Sequence, residues 1–437
     1  MFNPIDDQRM ALAPFRGVRY CPTAVPDLGA VTCPPLDLLE AGASARLLAA
    51  EPRNAVQLLL PNAGPGAPDR YQHAALTLRQ WLTDRTLITD TEPALYVYEQ
   101  RTAQGVLQRG LIGALALQED STRIICPHED VFPDLVHDRL AFVEAIQANL
   151  EPILLLYQGD GCASQVVDDI ADNSEPLFTA KVAHRVAHRV WRLTDRTRLS
   201  TIADDLAGQR MLIADGHHRY RAYQMLRSRR PSGVGAPWNR GLALLVDSLR
   251  HPPRLGAIHR VIARLTPDDA INAAKPIFQV RQVLADDALD ELASASRLGP
   301  AFLIAGDGRY HILTGPDPAA LNQAMPPSRS ARWRRLDTSV LHHLLIDHIW
   351  NCPENTVAMV HHDVDTAIEQ ARRRAGTAVI LNPLNVPDVL DVAAGGEFLP
   401  RKSTSFGPKP CTGLIFRTFA SELPSCPSTP SRPGSAT

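Results

Sequence analysis

The chain contains no C-x-x-C pair. Its seven cysteines, at 21, 33, 126, 162, 352, 411 and 426, are odd in number and widely scattered. That excludes a disulfide framework and a cysteine zinc site, and it indicates a reducing compartment. Charge of one sign is also lacking: 45 Lys and Arg stand against 47 Asp and Glu, a formal net charge of −2. No global basic field therefore argues for nucleic acid or for an anionic membrane surface. No apolar run approaches the roughly 20 residues of a membrane span. The opening "MFNPIDDQRMALAPF" has no basic stretch followed by an apolar one, so no signal peptide is visible. These absences describe a cytoplasmic protein whose partners are neither nucleic acids nor membranes.

What is present is an ordinary globular composition, 45% hydrophobic and 21% charged over 437 residues, long enough for two or three domains. Residues 1–92 read as an N-terminal region of their own. It carries helical pattern at "LLEAGASARLLAAE" and "YQHAALTLRQWLTD", separated by a Pro/Gly break at 61–69. From 93 to 260 short β-like runs ("ALYVYEQ", "LIGALAL", "PILLLY", "QRMLIAD", "GLALLVD") alternate with helical stretches such as "HDRLAFVEAIQANL" and "RLSTIADDLAG". Residues 261–418 alternate again: "AFLIAGDGRYHILTG" reads as a hairpin, "SVLHHLLIDHIW" as a helix, "TAVILN" as a strand. The Ser/Pro-rich stretch 419–437 reads as disordered. Interleaved strands and helices predict an α/β (α+β) protein with mixed sheets.

Three short stretches carry candidate chemistry. In "ADGHHRY" a strand-like run meets a helix. Asp215 is the expected N-cap, and Gly216 lets the backbone turn without a Cβ clash. Amides of the first helical turn then form an anion site, most naturally for phosphate, to which Arg219 and one of His217 and His218 add donors. Adjacent histidines point about 100° apart on a helix, so they are poorly placed to share one metal ion. The second stretch is "CPHEDVFPD", where Glu129 is a candidate general base and His128 a donor beside it. Arg139, early in the following helix, is in reach of a carboxylate or phosphate. In the third, "FLPRKSTSFGPKP", Lys402, Ser403, Thr404 and Lys409 in a proline-stiffened loop suggest a carboxylate or phosphate clamp. The pairs His342–His343 and His361–His362 read as satisfied or surface histidines. His259–Arg260 is a secondary candidate for the same cleft.

The stretches "PALYVYEQ", "PHE…DRL", "ADGHHRY" and "LPRKSTSFGPKPCTGL", in this order, resemble the bacterial domain-of-unknown-function 1015 family over most of residues 10–418. The boxes Pro127-His128-Glu129, Asp215-Gly216-His217-His218-Arg219 and Pro400 with Lys402-Ser403-Thr404 also resemble those of free L-serine kinases in the ParB/sulfiredoxin superfamily. The resemblance implies a ParB/sulfiredoxin-like nucleotide-binding core that transfers phosphate from ATP or ADP to free L-serine, with Mg²⁺ bridging the phosphates. Glu129, with His128 and Asp215, would then be catalytic. Residues 215–219 and Arg139 would bind the nucleotide, and Lys402, Ser403, Thr404 and Lys409 the amino acid. This chain departs from the kinases in a longer spacer before Arg139, an additional Arg401, and the N-terminal 90 residues. A phosphohydrolase or metal hydrolase using the histidine pairs with Asp215 and Asp363, and a non-catalytic nucleotide-binding switch, are the alternatives.

Overall fold

A computed structural model describes residues 10–422, except 41, 62–68, 183–185, 232 and 234. Most of the Pro/Gly break and residues 423–437 of the Ser/Pro tail lie outside the described residues. Residues Phe419–Ser421 form a 3-10 turn with Phe419 buried, so order continues past 419.

Among the described residues, nine strands build the larger sheet and six the smaller. The larger runs in the order Ile125–Cys126, Met211–Asp215, Ile153–Tyr157, Arg240–Asp247, Gly105–Ala116, Leu95–Thr102, Val186–Leu193, Phe178–Val182, with Leu12–Ala13 also paired to Gly105–Ala116. Its centre is legible in composition. The run "ILLLY" is buried at every position, as a strand covered on both faces must be. The side-chain period of two divides it between two cores. Ile153, Leu155 and Tyr157 pack with Leu140, Val167, Ile202 and Tyr223 of the helices on one face. Leu154 and Leu156 belong to a second core that continues into Phe302, Leu341 and Val379 of the smaller sheet and its helices. That sheet includes the expected hairpin, Ala301–Gly306 paired with Arg309–Thr314. Asp307 and Gly308, both with positive φ, make its tight turn.

The topology fixes where the site lies. Ile125–Cys126 is parallel to Met211–Leu212, so the loops leaving both strands emerge at the same sheet end. Ile153–Tyr157 runs antiparallel to Met211–Asp215, and its entry at Glu151 and Pro152 lies at that end too. Polar groups collect at strand ends because the strand interiors are apolar and paired. The chain then closes on itself. Leu399 donates its amide to the His128 carbonyl at 2.9 Å, Cys33 pairs with Thr412, and Val18 with Phe416.

Candidate active site

The helix His217–Arg229 starts directly after the strand that ends at Asp215. Gly216, at φ 99°, makes the turn between them, a conformation that an L-residue with a Cβ adopts only under strain. Gly216 is the N-cap, with no side-chain cap bond, which corrects the expectation for Asp215. The Asp215 carboxylate turns instead to two cations, with Arg219 Nη2 and Lys409 Nζ each at 2.6 Å. Burial pushes its pKa up, but Arg219 and Lys409 outweigh that and hold it below the ordinary aspartate value. Arg219 also donates to the Pro152 carbonyl at 2.8 Å. The amides of the first helical turn have no intrahelical acceptors.

The double histidine holds the neighbouring loop. The amide of His128 donates to His217 Nε2 at 3.3 Å, and that of Phe132 donates to His218 Nε2 at 3.1 Å. Each ring therefore uses its Nε2 lone pair on a different backbone N–H, at residues 128 and 132, on either side of Glu129 and Asp130. Burial depresses the pKa of both rings, so both are neutral acceptors at pH 7. His128, fully buried, has Nδ1 at 2.7 Å from the Ile213 carbonyl and Nε2 at 2.7 Å from Thr404 Oγ1.

Glu129, partly exposed, looks from this clasped loop into a cavity of about 280 Å³. Burial and the nearby Asp215 raise its pKa against the pull of Lys402 and Lys409. Around it, among the described residues, four cationic side chains (Arg139, Arg219, Lys402, Lys409) face four acidic ones (Asp37, Glu129, Glu151, Asp215). Arg219 and Lys409 are committed to Asp215, and Lys409 also pairs with Asp37. Arg139 and Lys402 make no ion pair among the described residues. Two uncommitted cations beside unpaired helix amides form an arrangement suited to an anion with several oxygens.

The sequence of residues 12–339 matches the family described as "Protein of unknown function (DUF1015)". The chain belongs to that family. No curated protein matches it. Among solved structures, this DUF1015 chain is similar to a mutant free serine kinase in complex with AMP, at 14% identity and TM-score 0.36, covering 69% of this chain and 91% of that one. It is also similar to a conserved hypothetical protein from Pyrococcus furiosus, at 14% identity and TM-score 0.33 over 69% and 94% of the two chains. A third similarity is to C-terminally truncated SbnI from Staphylococcus aureus, at 10% identity and TM-score 0.35 over 71% and 88%.

Of the residues read as catalytic, nucleotide-binding or amino-acid-binding in this DUF1015 sequence, Glu129, Arg139, Asp215, Gly216, His217, His218, Arg219, Lys402, Thr404 and Lys409 line this cavity. Two do not. His128 lies beneath it, and Ser403 is turned away, its hydroxyl donating to the Pro400 carbonyl at 2.5 Å. Ser403 is thus a brace of the loop and not part of a clamp. Arg260 is fully buried outside the cavity. It donates to the carbonyls of Lys402 at 2.9 Å and Ile258 at 2.6 Å, so it shapes the loop that carries Lys402. His342 accepts from the same guanidinium at 3.2 Å. His361, read as a structural or surface residue, does line the cavity, as do Asp37, Glu151 and Ser405. Asp37 comes from the N-terminal region, and no local motif in "CPPLDLLE" marks it. The additional Arg401 lies over the Phe132 ring and pairs with Asp130 at 3.8 Å, covering the outer side of the Glu129 loop.

Proposed function

We propose that this site transfers a phosphoryl group from ATP or ADP to the hydroxyl of free L-serine or a similar small hydroxy amino acid, giving O-phosphoserine. The observation that carries the reading is Glu129: a carboxyl with a raised pKa, facing a cavity walled by a helix N-terminus and by uncommitted Arg139 and Lys402. The nucleotide phosphates lie against the amides of 217–219, with Arg219 beside them. Phosphoryl transfer asks mainly for positioning and charge neutralisation, and this wall supplies both. Lys402 meets the substrate carboxylate, and Asp37 or Glu151 its ammonium group. Glu129 takes the proton of the hydroxyl as its oxygen bonds to phosphorus. The bond from phosphorus to the leaving nucleotide oxygen breaks, and the nucleotide keeps that electron pair. Raising the pKa of a carboxyl makes it a stronger base for such work.

Among the described residues no three His, Cys, Asp or Glu side chains converge as a metal cage, and both Asp215 oxygens are held by cations. Mg²⁺ would then be held chiefly by the nucleotide rather than by a protein cage, and would supply charge neutralisation. A hydrolase built on the double histidine is disfavoured because both Nε2 atoms are spent on backbone amides.

The test is phosphorus NMR on the purified protein with Mg²⁺, ATP or ADP, and L-serine, beside a control without acceptor. A serine-dependent phosphomonoester resonance supports the kinase reading. Inorganic phosphate released regardless of serine points to hydrolysis or a nucleotide switch. Glu129→Gln should keep its nucleotide affinity and lose about 10²–10⁴-fold in turnover. Wild-type turnover in that variant overturns the assignment of the base.

A further inference from the structure

Thr404 sits between two groups that both compete for its single proton. Its Oγ1 is 2.7 Å from His128 Nε2 and 3.4 Å from Glu129 Oε1. Which neighbour receives the proton is decided on the far side of the imidazole. His128 Nδ1 lies 2.7 Å from the Ile213 carbonyl oxygen, which can only accept, so Nδ1 carries the ring's hydrogen. Burial pushes the His128 pKa down to about 4, so at neutral pH the ring has that one hydrogen and Nε2 is a lone pair. The Thr404 hydroxyl must then donate to Nε2. Donation from Thr404 to the Glu129 carboxylate at 3.4 Å, which would lower that carboxyl's pKa, is excluded once the hydroxyl's one proton is given to Nε2 at 2.7 Å, so towards Glu129 it has only lone pairs to offer.

We propose that Thr404, polarised by His128, is a fixed acceptor for the proton of Glu129, a positioning residue that favours the protonated carboxyl. An ionised Glu129 faces the Thr404 lone pairs across 3.4 Å and gains nothing from them. A protonated Glu129 donates to Thr404 and completes a chain Glu129–Thr404–His128–Ile213 carbonyl. The chain ends on a backbone oxygen, so it holds a proton and does not conduct one away. The clasp of His217 on the His128 amide keeps the imidazole in register with both neighbours. On the reading of Glu129 as the base, this acceptor takes a hydrogen bond from the proton that Glu129 has removed from the substrate hydroxyl, and it favours the protonated carboxyl. The polarity of the hydrogen bond itself does not depend on that reading.

Other charges face Glu129 as well. Lys402 and Lys409 on the late loop favour its ionised form, and Asp215 at the strand end opposes it. Arg139, Arg219 and Asp37 line the cavity from two helices and the N-terminal region. All of these remain when only Thr404 is changed, so the Thr404 effect can be isolated.

The test is a carbon NMR titration of the full-length protein, without substrate, labelled at the glutamate side-chain carboxyl. The Glu129 resonance is assigned by its loss in Glu129→Gln. In Thr404→Val, and in the smaller Thr404→Ala, Glu129 should titrate about one pH unit lower than in wild type, the size of one hydrogen bond's preference. Thr404→Ser should restore the wild-type value. An upward shift in the Val or Ala variant would mean that Thr404 had been donating to the carboxylate, and it overturns the proposal, as does no shift. A nitrogen NMR spectrum of the wild-type histidines provides a check needing no variant. His128 should show a protonated Nδ1 and a bare Nε2, and the reverse tautomer overturns the proposal. If the titration behaves as stated but no phosphoserine forms, the acceptor stands and the kinase reading falls. If phosphoserine forms but the shift has the wrong sign, the kinase reading stands and the acceptor falls.

Discussion

Glu129 carries a cost for its position. Its folded pKa lies above that of an exposed glutamate because burial disfavours the charge. The sign follows: below the unfolded value the group is protonated in both states and costs nothing, whereas above the raised folded value it must ionise against its surroundings. Glu129→Gln should therefore raise the unfolding midpoint at pH 8, and the gain should fade as the pH falls towards 4. Urea or thermal unfolding across that range checks it, and equal midpoints at pH 8 would remove the claim of a strained base. The residue scale is also where sequence reading is least able to separate neighbours. Ser403 and Thr404 are adjacent hydroxyls of the same chemistry, yet one braces Pro400 and the other faces Glu129. The backbone decides between them. Lys402 takes a left-handed φ of 55°, and nothing in "RKST" announces that turn.

Among the elements, the strand–helix junction at "ADGHHRY" is legible because an apolar run, a glycine and a polar helix follow one another there. Its use of histidine is not legible. The imidazoles read as phosphate donors in the sequence because the N–H groups they accept from belong to a loop 86–89 residues away. Nε2 of His218, accepting from Phe132, is one of two pins on that loop, and the rings of His218 and Phe132 stack at 6.1 Å between centroids. His218→Ala should leave the Phe132 amide without its partner, at a cost of about 0.5–1.5 kcal/mol. Hydrogen exchange should report this as faster exchange at Phe132, with the amides of the central strand Ile153–Tyr157 unchanged. Unaltered exchange at Phe132 would mean that the pin does not hold the loop.

For the molecule as a whole, several buried histidines set a common response to acid. Burial lowers His128, His188, His259 and His342 each to about 4. An unfolded chain takes up protons at these positions near pH 6.5, whereas the fold refuses them until about pH 4. Stability should thus decline as the pH falls through that window, by up to about 1.4 kcal/mol per pH unit for each such histidine. Urea midpoints measured at pH 7.5, 6 and 5 test this, and a flat profile would contradict their burial as neutral rings. At this scale the strands and helices could be read from period and run length, and the mixed α/β class with them. Strand order could not, because pairing joins segments far apart in the chain and no local pattern names the partner. The same holds for the return of residues 399–418, which meet the His128 loop, Arg254–Gly256, Cys33, Val18 and Ala148–Asn149.

That return has a consequence in time. Glu129 and the helix at His217 are made by the middle of synthesis, but Thr404, Lys402 and Lys409, which complete the cavity, come near its end, Thr404 275 residues after Glu129. They dock only once Leu399 meets His128 and Phe416 meets Val18. A nascent chain still on the ribosome holds half a pocket, and the site comes into being only when the last strands close over the first.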